Sequence, residues 1–225
     1  MSELLFFNLV VSEDVTEWIA FASTLLIALL IVAVVILIGK KKLATVDIAY
    51  AGVALSISFV LSFIKVTPVQ YGGAITLASF APILIYAYYF GVGKALVCGM
   101  VYGLLQFIQS PYVLTPVTFA LDYLLAFSCI FVMGFFKGKK LNSVVIVCGT
   151  SGSLLFRFIM HFISGIVYFN HGAIWADLPD DSAVLYSLLY QTVYVIPDLV
   201  ICLAVMLILY KTRVIERIKP KNATI

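Results

Sequence analysis

The fold follows from a stretch near the middle of the chain, residues 154–169, which reads LLFRFIMHFISGIVYF. It is almost wholly apolar, yet Arg157, His161 and Tyr168 fall on one face, because residues three and four apart are neighbours on a helix. An Arg at membrane depth costs at least ~2.5 kcal/mol, so this face is expected to point into protein or a wet cavity. Two simpler interpretations stay open. The side chain of Arg157 extends to the cytoplasmic boundary of the membrane, and His161 is a packing residue without a role in ligand binding.

The composition of the whole chain is that of a membrane protein. Of its 225 residues, 64% are hydrophobic and 11% are charged, against roughly 45–50% and ~25% in soluble domains. Mean hydropathy is +1.15, and the apolar runs are continuous rather than alternating, which predicts helices. The cysteines lie inside apolar runs without ligand-like spacing and are expected to behave as small hydrophobic residues. They are Cys98, Cys129, Cys148 and Cys202.

Apolar segments predict seven transmembrane helices. The first, residues 19–38, follows an acidic tail and ends before Lys40. A signal peptide would need a basic start and a small-residue cleavage site, and the tail has neither, so we expect a retained helix. Spans near residues 76–109 are short for the ~20 residues that a perpendicular helix needs, so tilted or partial spans are expected there. The six later spans are 45–64, 76–90, 95–109, 117–136, 143–169 and 184–210.

Charge sorts the connecting loops into two sides. If the spans alternate, basic residues such as Lys94, Lys140 and Arg213 fall on one side, and acidic residues such as Glu13 and Asp180 on the other. Because basic loops stay in the cytoplasm, this predicts an N-terminus outside and a basic C-terminal tail inside. The net charge of +3 therefore reflects topology, and no nucleic acid partner is expected.

Motifs for nucleotide binding and for catalysis do not occur in the sequence, which lacks Walker A, HExxH, GxSxG and CxxC patterns. We therefore expect that the chain is not an enzyme, needs no cofactor and does not harness ATP by itself. A membrane enzyme that acts on lipid would need a nucleophile or a metal cluster, and neither is evident.

Polar and aromatic residues gather in the outer half of the predicted bundle. Asp122 lies within an apolar helix, so it is expected to face either Arg157 or a cationic or amino-bearing ligand. Residues 70–79 begin Gln-Tyr-Gly-Gly, which either lets backbone approach a ligand closely or forms a plain turn. In the last span a stripe of side chains recurs every four residues, which favours a pocket wall for a flat cation. It consists of Tyr186, Tyr190, Tyr194 and Asp198, with Gln191 beside it.

Several separated motifs, taken in order, resemble those of one family. They are Gly72 to Pro82, Tyr102 to Gln106, Leu121 to Phe127, Arg157 to Gly165 and Tyr186 to Pro197. Over about residues 44–211 the sequence resembles the thiamine-specific substrate-binding component, the S component, of energy-coupling factor (ECF) transporters. The resemblance implies an all-α integral membrane fold, a six-helix S-component bundle, to which this chain adds one extra N-terminal transmembrane helix. Residues 1–43 would form an extracellular tail with that helix, and residues 44–225 the S-component domain.

The resemblance also implies a function at a bacterial cell membrane. An S component captures thiamine from outside and delivers it with a membrane T component and two ATPase subunits. The family's partner-binding surface falls on small residues of the first family helix, Ala49, Gly52 and Ser56. Its ligand residues fall on Tyr112, Asp122, Tyr123, His161, Phe169, Tyr186 and Gln191, and Tyr190 joins them from the tyrosine stripe.

In this picture aromatic faces stack on the ligand rings, polar side chains satisfy its amine and its cationic ring, and outer loops close over it. The sequence departs from the family at three positions, because Asp122, Phe169 and Gln191 stand where members often have Glu, Trp and Asn. The alternative is a proton-coupled secondary transporter of a small organic cation, with Asp122, His161 and Asp198 as a proton relay. No inverted repeat of the kind common in secondary transporters is evident.

Overall fold

The computed structural model describes residues 44–68, 73–170 and 183–220, with backbone only for residues 167–170. The predicted helix at residues 19–38 and the domain boundary at residue 43 lie outside these ranges. Within them, five helices are long and apolar enough to cross a membrane, and a sixth apolar helix is shorter. The helices are α1 Thr45–Ser62, α2 Ala81–Phe90, α3 Val92–Gln109, α4 Pro116–Gly134, α5 Ser143–Asn170, α6 Ala183–Lys211 and α7 Val214–Arg217.

The predicted class, a multi-pass helical membrane protein, is confirmed, and five of the six described spans lie within a few residues of their predicted bounds. The span predicted at 76–90 is wrong at its start. Its first residues belong to a two-stranded antiparallel hairpin, β1 Lys65–Pro68 and β2 Ala74–Thr76. β-branched residues in both strands favour extended backbone, and Pro82 suits the first turn of a helix, so α2 begins only at Ala81.

The short helix α2 lies at the centre of the bundle. Every one of its residues except Pro82 is buried, and at the end of the helix Tyr88 and Tyr89 donate hydrogen bonds to the carbonyl oxygens of Lys139 and Ile215, over 2.7 and 2.6 Å. Because protein surrounds it, α2 need not match the thickness of a lipid layer by itself. All four cysteines are free, and only Cys148 is exposed.

Helix α4 contains a π-helical segment, Ala120–Leu125, which carries Asp122 and Tyr123. Such segments occur mostly as single turns within α-helices and are frequent at functional sites. Helix α3 accommodates this segment through Gly103, because a Cβ added there would overlap the carbonyl oxygen of Tyr123. The missing side chain at Gly103 thus lets α3 approach the very turn that presents Asp122.

Helices α5 and α6 approach each other closely at Gly165. A Cβ there would overlap the hydroxyl of Ser187 and come within 3.2 Å of the amide nitrogen of Gln191. Small residues commonly permit such contacts between membrane helices. The same face of α5 carries Arg157 and His161, so this crossing aligns its polar stripe with the tyrosine stripe of α6.

Candidate functional site

A cavity lies between the hairpin and helices α3 to α6, so several elements contribute its wall. Its empty volume, which includes open solvent at the mouth, is about 940 Å³. Phe169 is described by its backbone only, in α5. The other ligand residues predicted from the sequence all line the cavity: Tyr112, Asp122, Tyr123, His161, Tyr186, Tyr190 and Gln191. The structure thus brings them together, and their contact with a ligand stays a prediction.

Asp122 is bonded on both carboxylate oxygens to residues of α5. Its Oδ1 lies 2.7 Å from Nδ1 of His161, and Ser164 donates its hydroxyl to Oδ2 over 2.7 Å. The predicted alternative in which Asp122 pairs with Arg157 is wrong. His161 lies one helical turn from Arg157 and stands opposite Asp122, whereas α6 brings Asp198 to the guanidinium.

Arg157 is held inside the protein and does not reach the cytoplasmic boundary, so that sequence-based interpretation is also wrong. Only 6% exposed, it donates from Nη1 to Oδ2 of Asp198 over 2.7 Å. Its guanidinium lies over the rings of Phe80 and Phe127, 4.6 and 5.2 Å from their centroids. An ion pair together with aromatic faces offsets the cost of burying this cation.

Asp198 also connects the hairpin to α6. Its Oδ1 accepts hydrogen bonds from the backbone N–H and the hydroxyl of Thr76, over 3.1 and 2.9 Å. Thr76 ends β2 and is also bonded to Ser79, 2.8 Å away. Because Thr76 and Arg157 both line the cavity, the buried carboxylate of Asp198 fixes two parts of its wall at once.

The tyrosine stripe of α6 forms one side of the cavity, with Tyr186, Tyr190 and Tyr194 all buried and all in the wall. The rings of Tyr186 and Tyr190 are stacked, with centroids 6.1 Å apart and an interplanar angle of 13°. Such flat, parallel faces suit contact with a planar cation, which is attracted to the negative face of an aromatic ring.

Tyr123 also lines the cavity, and its contacts hold neighbouring parts of the fold together. Its hydroxyl donates to the carbonyl oxygen of Ser110 over 2.8 Å and accepts from the backbone N–H of Tyr112 over 3.1 Å. Its ring packs edge-on against Phe107, with centroids 5.2 Å apart. Tyr123 therefore ties the loop after α3 to α4, and this loop carries Tyr112 into the wall.

Two buried amides have polar atoms without a hydrogen-bond partner among the described residues. Gln191 donates from Nε2 to the carbonyl oxygen of His161 over 3.0 Å, but its Oε1 is unpaired, as is Nε2 of Gln106. An unsatisfied buried polar group costs roughly 1–3 kcal/mol, and both residues line the cavity. These two atoms are therefore candidates to bind a ligand. Sequence reasoning did not single out Gln106, although an amide one turn beyond Tyr102 in an apolar helix is a usable signal.

The charges in the wall leave one carboxylate uncompensated. The charged residues that line the cavity are Lys65, Asp122 and Arg157. Lys65 is exposed on the hairpin, and Arg157 is neutralised by Asp198. Asp122, whose side chain is 16% exposed, is bonded to the Ser164 hydroxyl and to His161. Because Nε2 of His161 accepts a hydrogen bond from Arg157, that ring is neutral and does not compensate the carboxylate. A cationic or amino-bearing ligand would complement it.

The small residues predicted to bind a partner lie on the outer face of α1. Ala49, Gly52 and Ser56 are all exposed. Ser56 donates its hydroxyl to the carbonyl oxygen of Gly52 over 2.8 Å, and a Cβ added at Gly52 would meet nothing within 4 Å. Among the described residues, none covers this point of the helix.

Comparison with known proteins identifies the family. A family model described as thiamine transporter protein matches residues 48–217. The thiamine transporter ThiT of Bacillus subtilis (strain 168) is 32% identical over 188 residues, 77% of this chain and 93% of that protein. A solved structure of ThiT from Listeria monocytogenes has a TM-score of 0.63 at 21% identity, covering 74% of this chain and 94% of that one, and shows a shared fold.

The matched residues include the whole described cavity and exclude the predicted extra helix. The predicted family is confirmed, and so is the prediction that the chain is not an enzyme, since the matching descriptions are those of transporters. The chain belongs to the thiamine transporter protein family.

Proposed function

We propose that this chain captures thiamine in the cavity and delivers it as the S component of an ECF-type importer. One observation carries the proposal: an uncompensated carboxylate, Asp122, lines the same cavity as a stacked pair of tyrosine rings. Thiamine consists of a flat aminopyrimidine joined to a flat, positively charged thiazolium. It therefore offers the N–H donors, the cation and the ring faces that this wall would complement.

Polar recognition would rest on Asp122 and two amides. An ionised carboxylate accepts about four hydrogen bonds, and the protein supplies one to each oxygen of Asp122, which leaves lone pairs for the ligand amine. The free Oε1 of Gln191 would accept a second N–H, and the free Nε2 of Gln106 would donate to a ring nitrogen or a hydroxyl. Each group would thereby gain the partner that it lacks.

Aromatic recognition would come from the stacked rings of Tyr186 and Tyr190, with Phe169 at the outer end of α5 and Tyr112 on the loop after α3. A cation over an aromatic face gains up to ~2 kcal/mol or more when it is desolvated. The hairpin and the outer loops would close over the bound ligand.

Delivery would depend on partner proteins in the same bilayer. The exposed face of α1 with Ala49, Gly52 and Ser56 supports a docking surface for a T component, because small residues let helices approach closely. Two ATPase subunits would supply the energy. The basic residues at the C-terminal end of α6 support a cytoplasmic C-terminus and an N-terminus outside.

The direct test is a titration of the purified chain with thiamine, followed by Tyr and Trp fluorescence. We expect saturable binding of one thiamine per chain, and choline, a cation without rings, as control ligand should produce no comparable change. Failure of the folded chain to bind thiamine would contradict the proposal.

One observation favours the rival, a proton-coupled transporter. Asp122, His161, Arg157 and Asp198 form a hydrogen-bonded line through the membrane domain. The chain should therefore be reconstituted into vesicles alone, and with a T component, the ATPases and ATP. Uptake that needs the partners supports an S component, whereas uptake by the chain alone that an uncoupler abolishes would support the rival.

A further inference from the structure

Four side chains form a hydrogen-bonded line across α6, α5 and α4, and three of them, Arg157, His161 and Asp122, belong to the cavity wall. Asp198 accepts from Nη1 of Arg157 over 2.7 Å, Arg157 donates from Nε to Nε2 of His161 over 3.3 Å, and Nδ1 of His161 lies 2.7 Å from Asp122. Arg157, His161 and Asp198 are 6%, 7% and 1% exposed. The line connects a carboxylate behind the wall with the carboxylate that faces the cavity.

The direction of the middle bond decides the tautomer of His161. A guanidinium has only donors, so Nε2 of His161 must accept from Arg157, and the neutral ring must carry its proton on Nδ1. That proton is donated to Oδ1 of Asp122, while Ser164 donates to Oδ2. Asp122 is thereby held as a carboxylate that presents only acceptors to the cavity.

We infer that Arg157 and Asp198 are positioning residues that fix this tautomer, and that they thereby set a preference for a ligand with an amino group rather than an oxo group beside Asp122. The inference rests on the proposed function, since it concerns the same cavity. If His161 carried its proton on Nε2 instead, Nδ1 would need a donor from Asp122. A protonated Asp122 would lose its charge and offer the ligand a weaker acceptor.

Asp198 contributes by fixing the guanidinium. Thr76 occupies Oδ1 with two hydrogen bonds, so Oδ2 is left for Arg157. The faces of Phe80 and Phe127 confine the planar group further. With the guanidinium held at one end, its Nε–H can point only along the line toward His161.

Selectivity between thiamine and oxythiamine shows whether Arg157 and Asp198 position Asp122 or only support the fold. Oxythiamine carries an oxo group and a ring N–H in place of the exocyclic amine and its neighbouring ring nitrogen. At the position of the amine it therefore has an acceptor in place of a donor, and a site built to bind an N–H donor at one position rejects an analogue without a donor there by up to 10⁴–10⁵. A group that only supports the fold would change the affinity for both molecules alike.

The first experiment uses Arg157→Lys and Asp198→Asn. A lysine ammonium can still pair with Asp198, but it lacks the rigid fork that also reaches His161. We expect thiamine affinity to fall by about tenfold in either variant, as for loss of a hydrogen bond to a charged group, and oxythiamine affinity to fall much less. Asp47→Asn is the matched control, because it removes the carboxylate of the Lys94–Asp47 ion pair outside the cavity and should leave the selectivity unchanged.

A double-mutant cycle tests whether Arg157 affects thiamine affinity through Asp122. In an Asp122→Asn background, Arg157→Lys should change thiamine affinity little, because the carboxylate that it positions is gone. An undiminished loss in that background, or equal losses for thiamine and oxythiamine, would overturn the inference.

The second experiment changes none of the four residues in the hydrogen-bonded line and decides the matter if the first variants fail to fold. The chain has two histidines, His161 and His171, so ¹⁵N NMR of the full-length His171→Gln protein reports His161 alone. We expect a protonated Nδ1 and an unprotonated Nε2. A proton on Nε2, or on both nitrogens, would overturn the inference. Lack of thiamine binding by the wild-type chain would contradict the proposed function and leave this measurement intact.

Discussion

The cavity wall and the outer face of α1 both interrupt otherwise apolar helices, but they do so in opposite ways. The wall buries charged and polar groups that are largely bonded to one another, as with Arg157 and Asp198. The face of α1 exposes small residues and has no neighbour at Gly52. Charges that are buried in a membrane domain are costly and indicate a site for a ligand, whereas small exposed residues indicate a site for another helix.

The largest effect should come from filling the face of α1. In Gly52→Leu a bulky side chain would block close approach of a T component, so assembly and ATP-driven uptake should be lost. Since a Cβ at Gly52 meets nothing within 4 Å, thiamine binding by the isolated chain should survive. Co-purification with the T component and a thiamine titration measure the two effects. Val53→Leu, an exposed neighbour that is already large, is the matched control. Joint loss of binding and assembly would mean that this face serves the fold.

The next largest effect concerns the uncompensated carboxylate. Asp122→Asn keeps the shape of the side chain but removes its charge, so thiamine binding should weaken by ~1.5–3 kcal/mol, the range for hydrogen bonds to charged groups. Titration by fluorescence measures the loss, and the melting temperature checks the fold. Unchanged affinity in a folded variant would mean that Asp122 does not bind thiamine. The buried charges of the cavity wall would then no longer indicate a ligand site, in contrast to the small residues of α1.

A smaller effect should follow from loosening the hairpin. Thr76→Val removes the hydroxyl that donates to Asp198 but keeps the backbone N–H that also donates. Of the two hydrogen bonds that this hydroxyl makes, to Asp198 and to Ser79, only the first joins the hairpin to α6. Its loss costs about 1 kcal/mol, or roughly fivefold in thiamine affinity. Thr192→Val is the matched control, since that exposed hydroxyl donates only to Leu188 in its own helix. Equal thiamine affinities of the two variants would mean that the bond between Thr76 and Asp198 does not hold the hairpin in place for binding.

The parts of the site that could be predicted are those with a local signal. Helical spacing put Arg157 and His161 on one face of α5, and the every-fourth-residue stripe put Tyr186, Tyr190 and Tyr194 on one face of α6. The pairing of Arg157 with Asp198 rather than Asp122 could not be predicted, because it depends on how α5 and α6 are rotated against each other.

Two backbone features also lacked a sufficient signal. The π-helical segment at Ala120–Leu125 packs closely against Gly103, a residue on a different helix that the local sequence does not indicate as its neighbour. The hairpin occupies residues that hydropathy assigns to a span, and only its β-branched residues favour strands. These two features position Asp122 and Thr76. The hydrogen bonds within the site therefore could not be predicted without the three-dimensional structure.

The smallest effect tests whether residues 19–38, which belong neither to the cavity wall nor to the face of α1, contribute to thiamine binding. Residues 19–38 contain no acid, base or amide, so this predicted helix can face lipid on every side, and lipid tails give it no hydrophobic drive to pack tightly. The described wall of the cavity consists only of residues between Ser62 and Tyr194.

A chain that begins at Leu43 should therefore insert, couple to its partners and bind thiamine within about threefold of the full chain, a difference under ~0.7 kcal/mol. Parallel titrations and uptake assays of the two chains measure this. A larger loss of binding in the folded, shortened chain would mean that the first helix shapes or closes the cavity, and the site would then extend beyond the region that resembles the family.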